Sequence, residues 1–109
     1  MKLVIAIVQD EDSSRLITTM MDEGFGVTKL ATTGGFLKAG NTTLLIGLED
    51  DRLEQCVGLI EKVCKSRRQI ASTNIPMSGT STMCAPYPIE VTVGGATIFV
   101  LSVDQFVKF

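Results

Sequence analysis

At 109 residues, 45% apolar and 20% charged, the chain can bury a core of its own and is too hydrophobic to be disordered. A net charge of -2 argues against a duplex-DNA or anionic-membrane binder. The absence of histidine removes the commonest general base and the commonest metal ligand, so no metal or cofactor is expected.

Leu3 to Val8, "LVIAIV", is a continuous apolar run and predicts a central strand. Gln9-Asp10 interrupts it too early for a secretory leader. Nothing in the chain reaches transmembrane length, so a cytoplasmic protein without membrane insertion is expected. In "QDEDSSRLITTMMDEGFG", Asp10 or Asp12 is placed to cap a helix, with acidic residues in its first turn. Leu16, Ile17, Met20 and Met21 form its apolar stripe, and Gly24 stands where a C-terminal cap glycine belongs.

"FGVTKLAT" reads as a second strand and "NTTLLIGLE" as a third. Asp50 or Asp51 begins a second helix, whose Leu53, Cys56, Val57, Ile60, Val63 and Cys64 recur at buried spacing. The three cysteines, Cys56, Cys64 and Cys84, have no metal-type spacing and read as idle thiols of a reducing compartment. Lys65 to Pro88 has no periodicity and holds all three prolines. A structureless loop that long is functional, or the assignment is wrong. "YPIEVTVGGATIFVLSV" reads as a β-hairpin turning on Gly94-Gly95.

The order β-α-β-β-α-β predicts a single α+β domain over residues 1–109. It is ferredoxin-like, with an antiparallel sheet and two helices on one face. Two helices cannot cover both faces of strands this apolar. The bare face is expected to pack against identical chains in a closed ring.

Between the second and third strands lies "KLATTGGFLKAGNTTLLIGLED". Its "GFLKAGNT" looks like a phosphate loop, but Asn41 stands where the lysine belongs and a strand follows where a helix should. What survives is binding chemistry. Gly34, Gly35 and Gly40 let backbone amides approach a ligand closely. Asn41 offers a paired donor and acceptor that match an adenine edge, and Phe36 is able to stack on a base. A hairpin loop whose Phe36 and Leu37 tuck into the protein's own core fits these residues equally well.

"MKLVIAIVQD", "TKLATTGGFLKAGNTTLLIG", "PYPIEVTVGGATIFVL" and "VDQFVKF" together resemble the PII-like cyclic di-AMP receptor family of Gram-positive bacteria, end to end. The resemblance implies a homotrimeric, non-enzymatic receptor that binds cyclic di-AMP in clefts between subunits and signals to an unknown protein target. It implies a short T-loop at about residues 33–40 and a long B-loop at about residues 65–88. It implies that Thr28, Asn41 and the backbone at Gly47 hold one adenine. Gly35, Phe36 and Leu37 lie along the ligand, Phe36 against the second adenine. Phe99 and Lys108 approach from a neighbouring chain. Two positions depart from the family's pattern: arginine often stands where this chain has Gly26, and glutamine where it has Lys108. The loss of an arginine at position 26 removes a charged ligand contact.

Two other readings compete. Ferredoxin-like folds include small acyl-phosphate hydrolases, and Arg67, Arg68 and Asn74 are candidates to surround a phosphate. No histidine or cysteine nucleophile has a partner base, however. An ordinary PII-type sensor of ATP and 2-oxoglutarate is disfavoured by the short T-loop.

Overall fold

β1 (Lys2–Gln9) occupies the middle of the sheet because both of its faces are apolar. Val4, Ala6 and Val8 point to one side and are fully buried. Leu3, Ile5 and Ile7 point to the other and are only half-buried. The computed structural model describes residues 1–30, 40–74 and 86–109.

Four strands form the main sheet, in the order β2 (Val27–Lys29), β3 (Asn41–Leu48), β1 and β6 (Ala96–Ser102), every neighbour antiparallel. α1 (Asp10–Asp22) and α2 (Leu53–Cys64) pack on one face of it. Leu16 and Met20 of α1 and Cys56, Ile60 and Val63 of α2 meet Val4, Ala6, Val8, Leu44, Ile46 and Leu48 there in a single core. This is the expected ferredoxin-like arrangement of an antiparallel sheet with two helices. Burial pushes the Cys56 and Cys64 thiols up to about 11, which suits their place among core hydrophobes.

α1 ends in a Schellman cap. Gly24 has φ +85°, the Phe25 amide donates to the Met20 carbonyl at 2.9 Å, and the Gly24 amide to Met21 at 3.0 Å. Phe25 follows the cap into the core, so the second strand begins only at Val27 and is shorter than expected. Arg52 closes this corner from the short 3-10 turn Asp50–Arg52 that precedes α2. It donates to the Glu23 carbonyl at 2.6 Å and lies 3.9 Å from the Phe25 ring centroid.

Four expectations are corrected. Neither Asp10 nor Asp12 caps α1. The cap position is Gln9, without a side-chain hydrogen bond, and both aspartates lie inside the first turn, where tertiary partners claim them. Met21 is 62% exposed, because the core-facing stripe narrows to Leu16 and Met20 and Met21 lies off its flank. Gly94-Gly95 is not the turn of a β5–β6 hairpin. β5 (Pro86–Val93) pairs with β4 (Arg67–Asn74) in a separate two-stranded ribbon, while β6 joins the main sheet on β1. The two glycines, at φ +82° and +97°, pass the chain from ribbon to sheet. Finally, the segment expected as a loop from Lys65 contains β4. Arg67, Arg68, Gln69 and Ile70 are all exposed, so this half of the strand has no buried side to produce an alternating pattern.

Candidate functional site

Side chains alternate along β3, so Asn41, Thr43, Leu45 and Gly47 share the face turned away from the helices. Thr28 stands opposite Leu45 and therefore lies on that same face. One row of the sheet runs from Thr28 through Leu45 and Ile5 to Phe99, each the Cα partner of the next. Phe99 is 53% exposed and Leu101, two residues on, 46%. The uncovered face therefore combines an apolar floor with the polar groups Thr28 and Asn41. It carries four of the expected ligand-binding positions.

The register, continued one step past the pair Val27–Ile46, sets Gly26 beside Gly47. Neither has a Cβ, so the sheet is thin here. A Cβ placed on Gly26 meets nothing within 4 Å, and one on Gly47 meets only the Met1 methyl at 3.4 Å. Lys108 is exposed in the C-terminal segment, beside exposed Phe106, Val107 and Phe109. Gly35, Phe36 and Leu37 lie outside the described residues.

One chain does not bring all of these together. Asn41 and Gly47 stand at opposite ends of β3, about 20 Å apart at ~3.3 Å per residue. That exceeds the reach of one purine base. Thr28 lies near the Gly47 end.

A polar pocket opens at the Asn41 end, lined by Ile7, Gln9, Asn41, Gly94, Gly95, Ala96 and Thr97. Its wall is held by contacts the sequence does not announce. Gln9 is the Cα partner of Asn41, and its side-chain oxygen accepts the Gly94 amide at 2.7 Å. Thr42, buried next to Asn41, donates its hydroxyl to the Asp10 carboxylate, and the Asp10 amide donates to the Gly40 carbonyl at 3.1 Å. Arg67 pairs with the buried Asp12, which raises the guanidinium further above its ordinary value. The signal for this cluster is the polar run Gln9-Asp10-Glu11-Asp12 directly after an apolar strand, which by itself reads as an ordinary helix start. A second, more apolar pocket between α2 and β6 is lined by Val57, Ile60, Cys64 and Ile98 among others. It lies on the helix side, away from every expected ligand-binding position.

The model of the cyclic-di-AMP receptor family matches residues 1–109, the whole chain, and the chain belongs to that family. Its fold is similar to that in a crystal structure of a functionally unknown protein from Pediococcus pentosaceus. The two share 45% identity and a TM-score of 0.78 over 99% of this chain and 96% of that one. No helix among the described residues is long and apolar enough to cross a membrane.

Proposed function

We propose that the protein is a non-enzymatic receptor that binds cyclic di-AMP in clefts between the copies of a homotrimer and signals through its loops to a protein target. Membership of the cyclic-di-AMP receptor family is the observation that carries this reading. The geometry agrees with it. Among the described residues the sheet face away from the helices is apolar, with Ile5, Phe99 and Leu101 unclothed by any helix, and calls for a partner surface. Asn41 and Gly47 are too far apart in one chain to share a base, and a cleft between two chains removes that difficulty. The Asn41 amide reads adenine, because guanine presents the reversed donor and acceptor pattern at the matching edge.

Calorimetry of the purified protein with cyclic di-AMP, cyclic di-GMP and ATP tests the ligand, and light scattering tests the assembly. The expected result is one cyclic di-AMP per chain on a trimer, with the other two nucleotides much weaker. A stable monomer, or equal affinity for the two cyclic dinucleotides, overturns the reading.

A further inference from the structure

Gln9 is the last residue of β1, and two separate parts of the chain converge on it. Across the sheet its partner is Asn41, where the segment returning from the second strand enters β3. Through its side chain it holds Gly94, where the β4–β5 ribbon re-enters the sheet.

The amide's orientation follows from its partner. The Gly94 N–H is a donor, so the Gln9 atom it meets at 2.7 Å is the oxygen, and the NH2 group is turned the other way. No acceptor for that NH2 stands among the described residues, and no buried polar side-chain atom there lacks a partner. Gln9 lines the polar pocket together with Asn41 and Thr97. Among the described residues nothing competes for its two N–H groups, which leaves them to donate to an occupant. A cyclic dinucleotide offers matching acceptors in its adenine ring nitrogens and phosphate oxygens.

Gly94 is the point through which the ribbon is set. At φ +82°, the space a Cβ would fill holds Arg67 Nη1 at 2.6 Å and the Lys65 carbonyl at 2.8 Å. Both legs of the ribbon thus cross at this residue. The entering leg is tied to α1 by Arg67 and Asp12, and the leaving leg to α2 by the Gly95 amide bonded to the Cys64 carbonyl.

We propose that Gln9 is a positioning residue that couples ligand occupancy at the Asn41 end of the cleft to the placement of the β4–β5 ribbon; the proposal rests on the cyclic di-AMP reading of that cleft. The coupling needs a difference in affinity between two ribbon states. Gln9 supplies it. While Gly94 holds the amide oxygen, the NH2 is aimed at the pocket. Once Gly94 leaves, the amide is free to rotate and the donor is no longer preorganised. A ligand that accepts from the NH2 therefore favours the docked ribbon, and polarises the amide so that its oxygen accepts more strongly.

The test is amide hydrogen exchange at Gly94 and along β4 and β5, with and without cyclic di-AMP, alongside calorimetry, on the wild type, Gln9→Met and Gln9→Glu. In the wild type the ligand is expected to slow ribbon exchange about tenfold or more. Gln9→Met loses both halves of the amide. Gly94 then exchanges about tenfold faster without ligand, binding weakens about tenfold, and the ribbon stops responding. Gln9→Glu keeps the acceptor and loses the donor, so Gly94 stays protected while binding and the ribbon response fall together. A purely structural Gln9 predicts a Gln9→Glu ribbon that responds like the wild type. That result, or a Gln9→Met protein with unchanged Gly94 exchange and ribbon response, overturns the proposal. A wild type that binds no cyclic di-AMP overturns the receptor reading instead, and the ligand coupling with it, whatever the Gly94 exchange reports.

Discussion

Arg67, the first residue of β4, grips Asp12 in the first turn of α1 with both arms of its guanidinium, Nη2 to Oδ1 at 3.0 Å and Nη1 to Oδ2 at 3.5 Å. The two partners are unequal. The Asp12 side chain is 3% exposed and Arg67's is 41%. Arg15 stands 3.6 Å from the same carboxylate but bonds the Val63 carbonyl at 2.8 Å. The two truncations should therefore differ. Asp12→Asn removes the buried charge and releases two cations that can reach water, at a cost of about 1 kcal/mol. Arg67→Met strands the carboxylate in the core with only the longer Arg15 contact, so its melting temperature should fall further. Thermal unfolding of both variants checks the order. A larger loss in Asp12→Asn would show that Arg15, 3.6 Å away, compensates the carboxylate once Arg67 is gone.

Gly94→Ala carries two penalties at once. The added methyl would sit 2.6 Å from Arg67 Nη1 and 2.8 Å from the Lys65 carbonyl, and the backbone is at φ +82°. The guanidinium is able to move aside but the carbonyl is not, so the strain should cost about 2 kcal/mol. Gly95→Ala, with only the Ser66 Cβ at 4.0 Å, meets no such clash and should cost less despite its φ of +97°. Denaturant unfolding of the two alanine variants measures the difference.

These contacts mark the limit of what the sequence made legible. β1 was readable as a continuous apolar run, and β3 and α2 because each presents a buried stripe at its own period. The Leu53 to Cys64 pattern survives almost residue for residue, with Cys56, Ile60, Val63 and Cys64 buried. β4 was not readable, because a ribbon exposed along Arg67 to Ile70 needs no hydrophobic alternation. The β5 strand was read, but its partner was misassigned. Gly-Gly fits a two-residue hairpin turn as well as a crossing between sheets, and only the Gln9 and Cys64 acceptors distinguish the two. Of the open-face residues, Thr28, Gly47 and Phe99 were named through family resemblance, and Asn41 through its amide as well. Their common face follows from strand parity, but the separation of Asn41 from Gly47 limits what one chain does alone.

Gly26 offers a gain-of-affinity test. An arginine there enters open space, since a Cβ meets nothing within 4 Å. Gly26→Arg should therefore leave stability within about ±0.5 kcal/mol. It sits beside Gly47, one register step past the pair Val27–Ile46, and close to Thr28, so the guanidinium is placed to reach a dinucleotide phosphate. In a solvent-accessible cleft such a contact should add about 1 kcal/mol, close to fivefold in affinity, and the gain should shrink as salt rises. Unchanged binding at low salt would place the phosphates away from the Gly26 end of the sheet.

On the proposed reading, Phe36 and Asn41 would divide the ligand between a base that is stacked and a base that is read. Phe36 lies outside the described residues, so the distinction between a stacking platform and a core residue falls to measurement. As a platform, Phe36→Ala should weaken cyclic di-AMP binding by about 1–3 kcal/mol, the range for base stacking on an aromatic ring. The melting temperature should then barely move, because surface substitutions shift stability by about ±0.5 kcal/mol or less. As a core residue, the same truncation should cost about 3–5 kcal/mol of folding stability and leave the affinity of each folded chain unchanged. Asn41→Ala is the companion. Asn41 is exposed at the start of β3, so its loss should be nearly silent in unfolding. Binding should fall by about 1–3 kcal/mol, through an adenine edge left unpaired once the cleft closes around it. Discrimination against cyclic di-GMP should collapse in Asn41→Ala and persist in Phe36→Ala, because stacking is indifferent to the pattern of donors on a base edge and an amide is not.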